Sequence, residues 1–86
     1  MHPAEELEAA LLAHPSVARL DGRYASYLPG RRVVGVRTED ERVGVAVVLH
    51  PGRPIPEVVR ELRATVTALT GDLPVDVVVA DWEEEP

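Results

Sequence analysis

The sequence predicts a small α+β domain, a mixed β-sheet with a helix packed on one face. Three observations predict it. Residues 32–38 and 42–50 are dense in valine and flank the polar Glu39-Asp40-Glu41, the signature of a β-hairpin. Residues 56–70 repeat Val58, Val59, Leu62, Val66 and Leu69 at helical spacing, with Glu57, Arg60, Glu61, Arg63 and Thr67 left for water. A further valine run, residues 75–80, follows that helix. Neither a one-sided helix nor a one-sided sheet buries its apolar surface alone, so each is expected to cover the other. The helical connection is long enough for a parallel crossover, which is right-handed in nearly all cases.

The elements read in chain order as α-β-β-β-α-β. Residues 3–13 form a first helix. Pro3 suits its first turn, Glu5, Glu6 and Glu8 sit where the helix dipole favours anions, and Leu7, Ala10 and Leu11 make its buried stripe. His14-Pro15 ends it, because the residue before a proline is pushed out of the helical region. Residues 16–20 are a short extended segment anchored by Val17, and Asp21-Gly22 is a turn. Residues 23–28 read either way. Tyr24 and Leu28, four apart, could share one helical turn, but Pro29-Gly30 stops anything longer. In residues 42–50, Val43, Val45, Val47 and Leu49 alternate onto one face and Gly44, Ala46, Val48 and His50 onto the other. The small residues on that second face suggest either a close-packed helix or an open surface. Gly71 suits the residue after the second helix. One domain, residues 1–82, and an acidic tail, residues 83–86, complete the chain, with Trp82 expected in the core.

Composition narrows the function. The chain has 86 residues and a formal net charge of -6, which argues against a general nucleic-acid binder. It has no cysteine, so disulfides, thiolate metal sites and cysteine catalysis are excluded. All nine basic residues are arginine. His2, His14 and His50 show no metal-ligand spacing, and no metal or cofactor is expected. Ser16 and Ser26 sit in no nucleophile elbow, no phosphate-cradling glycine loop is present, and the carboxylates are explained by helix start, turn and tail. A non-enzymatic role is expected. The start lacks the basic and apolar regions of a signal peptide, and the longest aliphatic runs are far short of a membrane span, so a cytoplasmic protein is expected.

One charge feature stands out. Residues 19–37 carry Arg19, Arg23, Arg31, Arg32 and Arg37 against Asp21, a local +4 in an otherwise acidic chain. With Tyr24 and Tyr27 interleaved, this segment suggests a partner-contact surface built from Arg23, Tyr24, Tyr27, Arg31 and Arg32. The competing reading is that these arginines are neutralised by acidic neighbours in the fold. An alternative function is a small RNA-binding module using the same segment.

The chain also resembles a known family. His14-Pro15-Ser16-Val17-Ala18-Arg19-Leu20, the valine-alternating residues 35–49, Pro54-Ile55-Pro56-Glu57-Val58-Val59 and the closing residues 75–81 are similar, in order and spacing, to motifs of the alkaline shock (Gls-type) envelope stress response proteins of bacteria. The resemblance spans roughly residues 14–82. It departs where Arg23-Tyr24-Ala25-Ser26-Tyr27 stands in place of a glycine-rich segment. It implies a non-enzymatic cytoplasmic protein that acts by protein–protein interaction or scaffolding. Such a protein would lie near the membrane through a membrane-anchored partner. The resemblance carries no catalytic residues across. Separately, a small sheet leaves strand edges that readily recruit another chain, so self-association is a further expectation.

Overall fold

The computed structural model describes residues 2–83 as two helices and six strands. Helix α1 (Pro3–Leu12) starts in a capping box. The His2 ring accepts the Ala4 N–H at 3.0 Å, and the Glu5 carboxylate reaches back to the His2 N–H. Strand β1 (Val17–Leu20) follows, then β2 (Ala25–Leu28), β3 (Arg31–Val34), β4 (Val36–Thr38) and β5 (Val43–Leu49). Helix α2 (Ile55–Thr70) ends at Gly71, whose φ of 77° is the conformation expected of glycine there. Strand β6 (Val75–Trp82) closes the described chain. Glu83 lies just beyond it, and Glu84, Glu85 and Pro86 of the expected acidic tail lie outside the described residues.

The main sheet is organised around β5. Along one edge β5 pairs in parallel with β6, as a β–α–β crossover requires. Its other edge is shared end to end by two short antiparallel strands. β1 takes Val47 to Leu49, and β4 takes Val43 to Val45. Between them the chain leaves the sheet and returns, forming the separate hairpin β2–β3 joined by Pro29-Gly30. The junction is closed on a single residue: Ala46 O accepts from Asp21 N and Ala46 N donates to Gly35 O, both at 2.9 Å.

The segment 23–28 is therefore a strand and not a helical turn. Its backbone hydrogen bonds go to β3, and a single turn ending at Pro29 has no such partner to offer. The expected single strand 32–38 is broken at Gly35. There φ is +87°, and a Cβ would lie 2.4 Å from Leu20 Cβ. That bend turns β3 out of the sheet plane, and only glycine makes it without strain.

The core lies between one face of the sheet and the two helices. Ala4, Leu7 and Leu11 of α1 and Val58, Leu62 and Val66 of α2 meet Val36, Val43, Val45, Val47, Leu49 and Val75. Leu69, expected on this face, is instead 45% exposed and lines a shallow hollow with Thr38, Val43 and Leu73. Trp82 is likewise 48% exposed, at the end of β6, and not a core residue. The opposite face of β5 is neither open nor covered by a helix. Gly44, Ala46 and Val48 are buried there, and the Tyr24 ring lies where a Gly44 Cβ would come within 2.8 Å.

Candidate partner-binding hairpin

The hairpin β2–β3 has two distinct faces. Ser26, Leu28, Arg31 and Val33 alternate toward the body of the protein. Val33 is fully buried, Leu28 packs on the core, and the Ser26 hydroxyl donates to Val36 O at 2.6 Å. Ala25, Tyr27, Arg32 and Val34 alternate away from it. Cross-strand register sets Tyr27 directly opposite Arg32. Directly opposed residues on one face of an antiparallel pair lie within side-chain contact.

The structure divides the five candidate residues. Arg31 belongs to the framework: its guanidinium donates to Glu5 and Glu8 of α1, each at 2.6 Å. Those contacts hold the Glu5 carboxyl below its usual range, Arg31 being the largest cause and the His2 N–H the next. Tyr24 is also framework. Its ring rests on Gly44, with the Arg37 guanidinium 4.5 Å from the ring centroid, a cation–π contact. Tyr27 is 77% exposed, and Arg23 and Arg32 are exposed with no carboxylate partner among the described residues. Elsewhere in the basic segment, Arg19 pairs with Glu83 at 3.1 Å and Arg37 with Glu39 at 3.1 Å. Neutralisation by the fold thus accounts for three of the five arginines; of the remaining two, Arg32 stands opposite the exposed Tyr27 and Arg23 lies in the turn before β2.

Sequence reasoning did not foresee the Tyr24–Arg37 stack. The signal available was Gly44 itself, since an isolated glycine in a strand marks close approach by another group. A second polar cluster ties the two helices together. His14 Nδ1 accepts the Ser16 N–H at 3.0 Å, so its proton sits on Nε2, which donates to Glu61 at 2.8 Å. Arg53 donates to the same carboxylate at 2.9 Å and 2.5 Å and to Glu57 at 2.8 Å. Arg53 first and His14 second lower the Glu61 carboxyl to about 2.

Shallow hollows lie at both ends of the sheet. One, of about 190 Å3, is lined by Leu49, His50, Arg53, Ile55 and Trp82 at the C-terminal ends of β5 and β6. The other, of about 270 Å3, lies at the opposite end beside Leu69 and Leu73. Among the described residues no three histidine or carboxylate side chains converge as a metal site, and no helix is long and apolar enough to cross a membrane. Comparison with protein-family models, with curated proteins and with solved structures finds no match to this chain.

Proposed function

We propose that this chain is a non-enzymatic interaction module of the alkaline-shock, envelope-stress type, and that the outer face of its β2–β3 hairpin docks an acidic segment of a protein partner. The observation that carries the reading is Tyr27 directly opposite Arg32, both exposed at the outer end of the hairpin. A tyrosine supplies rigid apolar area with a polar tip, and arginine supplies a carboxylate-matching fork; both are enriched where interfaces gain most of their affinity. The net charge of -6 favours a small acidic protein element over a polyanion. Nucleic acid or an anionic bilayer would meet long-range repulsion from the rest of the chain. In this reading the membrane is reached through an anchored partner in the cytoplasm.

The test is an NMR titration of the labelled full chain with a short peptide alternating glutamate and leucine, and separately with single-stranded RNA. With the peptide, shifts concentrate in residues 25–34, and the double variant Tyr27→Ser/Arg32→Glu abolishes them. Equal or stronger shifts with RNA would transfer the surface to the nucleic-acid reading. No shift with either ligand would remove the hairpin as a contact surface.

A further inference from the structure

Strand β6 has a neighbour on one side only. Its inner edge runs along β5, and among the described residues its outer edge meets no strand. The Val43 N–H donates to Pro74 O, which fixes the alternation at the start of the strand. In a parallel pair, successive residues direct their backbone groups to opposite sides. Asp76 and Val78 therefore turn toward β5, and Val75, Val77 and Val79 turn outward. The outward carbonyl of Val75 already accepts a hydrogen bond from Arg63. Val77 and Val79 retain outward N–H and C=O groups with no side-chain partner among the described residues.

Monomeric proteins blunt such edges with charge, proline or a bulge. Here those devices bracket the strand but spare its middle. Asp76 stands before the apolar stretch and Asp81 after it. A register shift leaves Ala80 as an unpaired extra residue. Val77, Val78 and Val79 are uncharged and half-buried.

We propose that this edge pairs with the same edge of a second copy, antiparallel, about a two-fold axis through Val78. The edge is complementary to itself in that register. Val77 of each copy faces Val79 of the other, so the outward donors and acceptors meet in reciprocal pairs. Val78 faces its own counterpart on the sheet surface away from the helices. No carboxylate stands directly opposite another: Asp76 falls opposite Ala80. Asp81 falls opposite Val75, where Arg63 is held by the Val75 carbonyl. Asp76 is already paired with Arg42. The half-exposed Trp82 arrives opposite Pro74, which gives its ring an apolar neighbour. The two sheets then join into one continuous sheet with all helices on one face. An isologous contact of this kind closes at two copies and leaves both hairpins free. It stands whether or not the hairpin binds an acidic partner.

Sedimentation velocity of the full chain, from micromolar to submillimolar concentration, tests it. The wild type moves from 9.4 kDa toward twice that mass. Val79→Pro removes an outward N–H while leaving the bonds to β5, a position where an edge strand tolerates proline. It stays monomeric with an unchanged circular dichroism spectrum. A second variant covers the case in which Val79→Pro fails to fold. The native chain has no cysteine, so Val78→Cys introduces a single thiol. Facing residues of a non-hydrogen-bonded antiparallel pair have Cα atoms about 4.5 Å apart, within disulfide range. Mild oxidation then gives a cross-linked dimer far faster than it does for Ala64→Cys on the exposed side of α2. Tyr27→Ser/Arg32→Glu leaves the dimer intact. A wild type that stays at 9.4 kDa throughout, growth without a defined stoichiometry, or a Val78→Cys cross-linking rate no greater than that of Ala64→Cys would each overturn the proposal.

Discussion

Single residues carry much of the geometry. Gly35 is the clearest case, because it combines a positive φ with a backbone pressed against Leu20 and Ala46. Gly35→Ala meets both penalties, a strained backbone and an overpacked contact. It is expected to cost about 3 kcal/mol, read as a lower urea midpoint with unchanged slope. Glu61 carries a different kind of constraint. Its carboxyl is lowered from the usual 4.5 to about 2 by Arg53 and then His14. A group depressed on folding contributes stability that is complete above its unfolded value and is lost as pH falls through its folded value. The melting temperature of the wild type should therefore exceed that of Glu61→Gln by a constant margin above about pH 5, and the margin should shrink steadily toward pH 2. These residue-scale contacts were only partly legible. The arginine excess of residues 19–37 was visible in the chain. Arg37 meets Glu39 two residues on, but which arginines meet Glu5, Glu8 and Glu83 depends on tertiary neighbours that no local pattern encodes.

At the scale of elements, period and length were reliable guides and breaks were not. Helix α2 and strands β5 and β6 follow from the spacing and density of their apolar residues, and the 39–41 connection from the polar run between two valine-rich stretches. The same logic overreached at Leu69, which continues the helical spacing but stands half exposed in the last turn of α2, over a hollow that no side chain fills. The difference is measurable. Leu62→Ala empties a fully buried site and is expected to cost about 2–5 kcal/mol. Leu69→Ala, at an exposed position, should fall within about 0.5 kcal/mol of wild type in the same urea titration. The hairpin β2–β3 was the least legible element. Its strands are four residues each, and Ala25-Ser26-Tyr27-Leu28 has no clean alternation. Strand pairing and the buried Val33 decide its conformation.

For the molecule as a whole, the α+β class and the helices on one sheet face were readable because those features arise from the total distribution of valine and leucine. The count of strands was not, because one expected strand became two at a glycine and a third arose from an ambiguous loop. Of the five candidate contact residues, an exposed tyrosine and its cross-strand arginine stand together on the outer face of an outlying ribbon, with Arg23 exposed at the ribbon's root. The way that ribbon is attached has a consequence of its own. Both of its ends are hydrogen-bonded to one residue, Ala46, so the chain enters and leaves through a single gate in the framework. A detour rooted this way can change in length or chemistry at its tip while the strands on either side keep their register. Val33 and Leu28 set how far toward the root such exchange can go. The fold thus separates the part that must stay fixed from the part that can be retuned for a different recognition task.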